Sequence, residues 1–403
     1  MAGTGKAKVI VAGSGPAGLT AALALAGSGF SITLVGPDVR TDDRRTTALM
    51  APSLAVLQPL GVVQRLREQA APLRVMRIVD ATSRLVRSPP VTFRAAEIGE
   101  EFFGLNIPNA HLNRVLEEAV AAHPGIQWRR TIVSEWRLLP DRAVAVLSGG
   151  GEIDGVLVAA ADGRASPARE AAGMATRRST LPQAALVVNF GHTRDHEGVS
   201  TEFHTETGPF TQVPLPGRRS SLVWVVRPET ADELAALPEE ELSRRIEERM
   251  QSILGKVTAE PGRQVYPLAS ISPLSFAAKR VALVGEAAHV FPPIGAQGLN
   301  LGIRDVEDLA SIASRHADDP GGTAALAEYD GRRRTDIFAR SSAVNLLNRS
   351  LLSGLLPAQL ARFAGLGALG TFSPLRGFFM REGLRPGSGF AALTGGLREK
   401  VGR

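Results

Sequence analysis

KVIVAGSGPAGLTAALALAGSG, residues 8–29, is the stretch whose reading decides the fold. Lys8–Ala12 is a short β-rich run. GSGPAG follows, then an Ala- and Leu-rich segment that reads as a helix ended by glycine. Gly13, Gly15 and Gly18 therefore stand at GxGxxG spacing between a strand and a helix. Gly13 allows the tight turn, Gly15 lets a pyrophosphate approach the backbone, and Gly18 lets helix and strand pack closely. Pro16 and Ala17 belong to the same turn, at a helix N-terminus that faces the phosphates. Phe30–Val35 reads as a second strand, so the chain opens with the βαβ unit of a dinucleotide-binding fold.

The acid that normally bonds the adenosine ribose is expected at the end of that second strand, about twenty residues on. In LVGPD the place is taken by Gly36, and Asp38 is the candidate that reaches the ribose instead. Further along, the pattern predicts helix over Thr47–Gln69 with a break at Gly61, strand over Leu73–Pro90, and an amphipathic helix over His111–His123. Strand-like runs follow at Gln127–Leu138, Val144–Leu147 and Val156–Ala160. Leu186–Val226 reads as several short strands with turns between, Ala231–Ile253 as helix and Val265–Leu268 as strand. From Val281 the texture returns to α/β, and from Val306 it is mostly helical.

The bulk numbers set limits. A chain of 403 residues has room for two domains and a large core. With no cysteine there are no disulfides, thiolate metal sites or cysteine nucleophiles. The pI is about 10.2. Residues 331–403 hold twelve basic and three acidic residues, so the rest of the chain is slightly acidic. Few aromatics lie among those arginines, which argues against a nucleic-acid platform. Residues 351–370 are broken by Pro357, Gln359, Arg362 and several glycines, so no transmembrane helix is expected. His192, His196, Glu202 and His204 could be read as a metal cluster, but nothing else supports one and no metal is expected.

Two more motifs complete the pattern. ADGRASPAR, residues 161–169, follows a strand and carries Asp162. VGEAAHVFPPIGAQGLNLGIRD, residues 284–305, places a carboxylate, a Pro-Pro pair and a Gly-rich loop between a strand and a helix. With GSGPAG, in this order, they resemble the single-component FAD-dependent aromatic hydroxylases, the group typified by p-hydroxybenzoate hydroxylase. Within that group the chain is most similar to the ubiquinone-biosynthesis hydroxylases. That narrower resemblance is carried by RRTTALMAPSLAVLQPLGV (44–62), PNAHLNRVL (108–116) and YDGRRRTDIFARSSAVNLLN (329–348).

The resemblance implies an α/β fold. A discontinuous Rossmann-like FAD-binding domain (1–72, 98–180 and 270–345) would be joined by a mixed β-sheet substrate domain (73–97 and 181–269) and a C-terminal helical tail (346–403). It implies that Glu286, after Gly285, stands where the family has Asp and accepts hydrogen bonds from the ribityl chain. Pro292 and Pro293 would wall the flavin ring. Backbone N–H groups around Gly295, Gly298, Leu299 and Asn300 would point at the flavin, where a helix end stabilises negative charge. Arg45 would meet the pyrophosphate region, Asn109 the cofactor near its ribityl or dimethylbenzene side, and Asp162 would support FAD.

The implied reaction is hydroxylation of an aromatic ring with NAD(P)H and O₂ by way of a flavin C4a-hydroperoxide. The cofactor carries the hard chemistry, so few acid–base side chains are expected. The implied substrate is a polyprenylated phenol on the route to ubiquinone. A soluble aromatic or polyketide, or an inactive flavoprotein scaffold in a biosynthetic complex, are the alternatives. Other quinone-biosynthesis proteins are candidate partners. The expected location is cytoplasmic, with the basic tail suited to peripheral contact on the inner face of the membrane; core packing of a C-terminal helix would explain the tail equally well.

Overall fold

The computed structural model describes residues 7–39, 43–83, 87–291, 297–352, 356–384 and 388. β1 (Lys8–Ala12), α1 (Pro16–Gly27) and β2 (Ser31–Val35) form the opening unit. β3 (Thr46–Met50), α2 (Ala51–Leu57), α3 (Val63–Arg67), β4 (Ala71–Leu73), β5 (Val75–Asp80), β6 (Val91–Arg94) and β7 (Gly104–Pro108) follow. Then come α4 (Asn109–Ala122), β8 (Ile126–Arg129), β9 (Val133–Leu138), β10 (Ala143–Leu147), β11 (Glu152–Gly155), β12 (Leu157–Ala160) and α5 (Pro167–Ala171). The β-rich middle holds β13 (Thr176–His192), β14 (Val199–His204), β15 (Pro209–Leu215), β16 (Arg219–Val226), α6 (Pro228–Ala236), α7 (Glu239–Arg249), β17 (Val257–Ala259) and β18 (Gln264–Pro273). β19 (Ala277–Ala278), β20 (Val281–Leu283), α8 (Gln297–Arg315), α9 (Thr323–Leu352), α10 (Leu356–Thr371) and α11 (Ser373–Leu384) close the chain.

One sheet runs β19-β20-β12-β1-β2-β8, parallel except at the β19 edge. Apart from the exposed Lys8 that opens β1, its central strands β12 and β1 are apolar, as a parallel sheet covered on both faces requires. Val9, Ile10 and Val11 on β1 and all of Leu157–Ala160 on β12 are buried. A second sheet runs β17-β13-β16-β15-β14-β5-β6, with β18 also paired to β13. β5 and β6 reach it from the first hundred residues, so the chain crosses between the two sheets more than once. Alternate residues of β13 and β16 point to opposite faces. Leu186, Val188, Phe190, Leu222 and Trp224 pack with Leu234, Leu242 and Ile246 of α6 and α7. Ala185 and Val225 form a separate apolar group on the other face with Leu268, against which Val223 packs.

The structure departs from three sequence-based expectations. Thr47–Met50, the start of the expected helix, belongs to strand β3, paired antiparallel with β7. The partner strand lies more than fifty residues away, and Gly104 lets it close up: a Cβ there would sit 2.3 Å from the Leu49 carbonyl oxygen. Helix resumes at Ala51, where Pro52 suits a first turn. The strand expected over Leu73–Pro90 ends at Asp80. The helix expected over Ala231–Ile253 is two helices, because Leu237 turns extended before Pro238. Among the described residues no helix is long and apolar enough to cross a membrane.

Candidate functional site

The glycines of the first loop leave little room on one side and much on the other. A Cβ on Gly13, whose φ is +108°, would lie 2.1 Å from the Ala161 carbonyl oxygen. One on Gly18 would lie 1.9 Å from the Gly13 carbonyl oxygen. Gly15, the N-cap of α1, has nothing within 4 Å. The loop is thus clamped between β12 and α1, and its outer edge is open at a helix N-terminus with Pro16 and Ala17 in the first turn, an arrangement that accepts phosphate. The missing acid at Gly36 has a steric reason. A Cβ there would stand 2.7 Å from both Ser14 N and Ser14 Oγ. Ser14 Oγ instead donates to the Pro37 carbonyl oxygen at 2.6 Å. Asp38 is exposed and ion-paired with Arg130, whose guanidinium lies 4.3 Å from the centre of the Trp128 ring.

Arg45 and Asn109 meet through a residue that sequence reasoning missed. Asp43 takes both Nε and Nη2 of Arg45, at 2.9 and 2.7 Å, and also accepts from Asn109 Nδ2 at 3.0 Å. Thr47 Oγ1 donates to Asn109 Oδ1 at 2.6 Å. Burial alone would raise the Asp43 carboxyl, but the hydrogen bonds from Arg45 and Asn109 and the Arg45 charge outweigh it, so it sits below its ordinary value. The Arg45 guanidinium is raised in turn, first by its hydrogen bonds to Asp43. It lies 5.2 Å from the centre of the Tyr266 ring. No local spacing announces Asp43. Its role comes from β3 and α4 arriving side by side.

The second and third motifs are tied together. Arg169 is buried and donates to the Ala287 and Arg164 carbonyl oxygens, both at 2.8 Å. Asp162 Oδ2 accepts from Ala168 N at 3.0 Å, while its buried Oδ1 has no hydrogen-bond partner among the described residues. Burial raises the Asp162 carboxyl despite bonds from Ser166 and Ala168. Gly285 has φ +63°, and its N–H donates to Asp305 Oδ2 at 2.9 Å. The same oxygen meets His289 Nε2 at 2.8 Å. Arg333 of α9 lies behind, with Nε 2.7 Å from Asp305 Oδ1 and Nη1 2.8 Å from Asp308 Oδ2. Burial alone would lower the Arg333 guanidinium, but Asp305, Asp336 and Asp308 hold it well above its usual range. A chain of buried charge therefore runs from α9 through α8 to the turn that presents Glu286. Asp305 and Asp308 had one legible signal: carboxylates on the apolar stripe of an amphipathic helix, where a burial partner is required.

Asn300 anchors α8 to β3 and α2. Its Oδ1 accepts from Met50 N at 2.9 Å and Ser53 Oγ at 2.7 Å, and its Nδ2 donates to the Ala48 carbonyl oxygen at 2.7 Å. The side chain is thereby engaged, and it fixes the first turn of α8 against β3 and α2. Leu299 packs partly against the main core, and Gly298 has nothing within 4 Å. Pro292, Pro293 and Gly295 lie outside the described residues. The histidines weighed as metal ligands have protein partners: His192 bonds Ser220 Oγ, His196 the Leu215 carbonyl oxygen and His204 the Glu202 carboxylate.

A cavity of about 210 Å³ opens between the two halves. Arg45, Arg164, Glu286 and Phe291 line it from the nucleotide side. Val187, Ser221, Val223 and Leu268 line it from the large sheet. The residues fit a flavin dinucleotide. The Gly15 edge is open for a pyrophosphate, Glu286 is exposed at the cavity as an acceptor, and Gly298 leaves space by the start of α8.

Comparison with known proteins agrees. The family model described as FAD binding domain matches residues 6–340. The chain is 34% identical to the ubiquinone hydroxylase UbiL of Rhodospirillum rubrum over 392 residues, covering 94% of this chain and 89% of that protein. It is 29% identical to the 3-demethoxyubiquinol 3-hydroxylase of Escherichia coli, covering 89% of this chain and 93% of that one. The crystal structure of p-nitrophenol 4-monooxygenase PnpA from Pseudomonas putida shares the fold, with a TM-score of 0.76 at 21% identity over 94% of this chain and 96% of that one.

Proposed function

The chain belongs to the family built on this FAD-binding domain, and on that premise we propose that it hydroxylates a polyprenylated phenol in ubiquinone biosynthesis. It is an FAD-dependent monooxygenase, with NAD(P)H and O₂ as co-substrates. The observation that carries the substrate reading is the cavity, which sets the apolar face of the large sheet opposite the Glu286 turn. FAD, when bound, would supply the redox chemistry of a monooxygenation, with NAD(P)H as reductant, one atom of O₂ entering the ring and the other leaving as water.

The protein's own work is placement and exclusion of water. Gly15 and the N-terminus of α1 hold the pyrophosphate, and Asp38 reaches the ribose. Arg45, locked by Asp43 and Asn109, adds positive charge on the same side. Glu286 accepts from ribityl hydroxyls, with Asp162 and the Arg169 bridge fixing the adjoining loops. The first N–H groups of α8, at Gly298, Leu299 and Asn300, face negative charge on the cofactor. Val187, Val223 and Leu268 seat the ring away from water. Residues 73–97 and 181–269 supply this substrate side. Mass spectrometry of quinone lipids from a strain lacking the gene tests the reading. A prenylated phenol short of one oxygen is expected; unchanged ubiquinone, with no second hydroxylase present, overturns it.

The same substrate class motivates peripheral contact with the membrane. Phe372, Leu375 and Phe379 are exposed along one side of α11 and the residue before it. Met380, on an adjoining side of the helix, packs with Ala95, Ile98 and Phe103. An apolar outer stripe in a C-terminal region of net positive sequence charge suits an anionic bilayer surface.

A further inference from the structure

The cavity wall contains a polar spot that cofactor binding does not use. Ser221, on β16, lines the cavity and is 1% exposed. Its Oγ has no hydrogen-bond partner among the described residues. Its neighbour Ser220 points to the other face and is fully engaged, its Oγ accepting from Gln212 Nε2 at 2.9 Å and meeting His192 Nε2 at 3.0 Å. Across the sheet, Asn189 of β13 is paired in register with Ser221 and so shares its face. Asn189 Nδ2 donates to the Arg44 carbonyl oxygen at 3.2 Å, while its buried Oδ1 has no partner among the described residues. A donor–acceptor hydroxyl and a carbonyl acceptor therefore stand side by side, both out of water. Such groups cost stability unless a ligand completes them.

Apart from Tyr266, whose hydroxyl is taken up by Gln264 Oε1 at 2.5 Å, the rest of this wall is apolar. Val223 and Val187 are the next residues along the same face, followed by Ala185 and Leu268. A flat apolar floor with one hydroxyl and one carbonyl at its end is complementary to a phenol, which offers a ring and one oxygen that both donates and accepts. We infer that Ser221 is the specificity-determining residue for the phenolic oxygen: its Oγ–H donates to that oxygen, and Asn189 Oδ1 accepts the phenolic proton. The pair fixes the rotation of the ring within its plane, and with it the carbon presented for hydroxylation. This assignment rests on the phenol reading above.

The test uses the FAD-loaded full chain, with 2-geranylphenol and geranylbenzene as paired probes, followed by the change in flavin absorbance on binding. The wild type is expected to bind the phenol about tenfold more tightly than the hydrocarbon. Ser221→Ala is expected to remove that preference by weakening the phenol alone, and to raise Tm, because a buried unpaired hydroxyl is lost. Ser221→Thr, which keeps the hydroxyl, retains the preference. A lower Tm with both probes weakened equally, or an unchanged preference, overturns the assignment. A wild type that neither binds nor hydroxylates 2-geranylphenol sinks the phenol reading and this assignment together. Hydroxylation by the wild type, with a preference that Ser221→Ala does not move, sinks the assignment alone.

Discussion

On the helix side of the large sheet, Phe210 stands edge to face with Phe203 at 5.8 Å and Trp224 at 5.0 Å, sealed beneath α6 and α7. On the other side, one residue further along each strand, Ala185, Val187, Ser221 and Val223 leave a cavity. The same strands build both. The difference is side-chain volume, and it assigns stability to one face and recognition to the other. Interiors are close-packed, so a persistent cavity must be designed by small residues on rigid strands.

Substitutions on the two faces should separate these roles. The largest effect is expected from Phe210→Ala, which removes the centre of the aromatic group. Chemical denaturation should show a loss of about 3–5 kcal/mol, and the remaining folded enzyme should hydroxylate normally. Val187→Phe is the converse. Filling the cavity should lower kcat/KM on the order of a hundredfold by displacing the ring, with stability changed by less than about 1.5 kcal/mol because the new side chain enters open space. If Val187→Phe unfolds the protein instead, the faces are not independent.

A smaller effect is expected at the rim. Asp43 has a folded pKa below its unfolded one, so its contribution is present above the ordinary carboxylate range and lost as pH falls through the folded value. FAD retention should therefore persist to below about pH 4 and then drop. Asp43→Asn should release FAD roughly tenfold more readily at neutral pH and show no such acid step, as fluorescence of free flavin would report. The smallest effect concerns α11. Phe379→Ser should change stability by no more than about 0.5 kcal/mol, because the side chain is exposed, while reducing co-sedimentation with anionic vesicles several-fold. Equal co-sedimentation by wild type and variant would leave the stripe without a membrane role.

What the sequence disclosed follows the same division between local and distant causes. GSGPAG was readable because its strand, turn and helix are contiguous, although the Ala161 carbonyl that Gly13 abuts comes from a distant strand. The apolar alternation of β13 and β16 was readable as strand, but not which face would be open, since that depends on α6, α7 and the nucleotide half arriving on particular sides. Thr47–Met50 misled because local preference favoured helix while pairing with β7 favoured strand. Asp43 and Ser221 carry no motif at all, and the motif that contains Arg333 does not announce its burial. Their roles exist only through partners on other elements.

Asn300 closes the Ala48 carbonyl and the Met50 N–H, and Met50 precedes it by 250 residues. During synthesis at about 5–20 residues per second, the first half of the cofactor cradle waits roughly 12 to 50 seconds for the segment that completes it. Through that interval α1, α2 and β3 lack the cover of α8, so the nascent chain is a natural client for chaperones. The flavin cradle is complete only once the start of α8, at Gln297 of 403 residues, has emerged, which makes cofactor loading a late event in the life of each molecule.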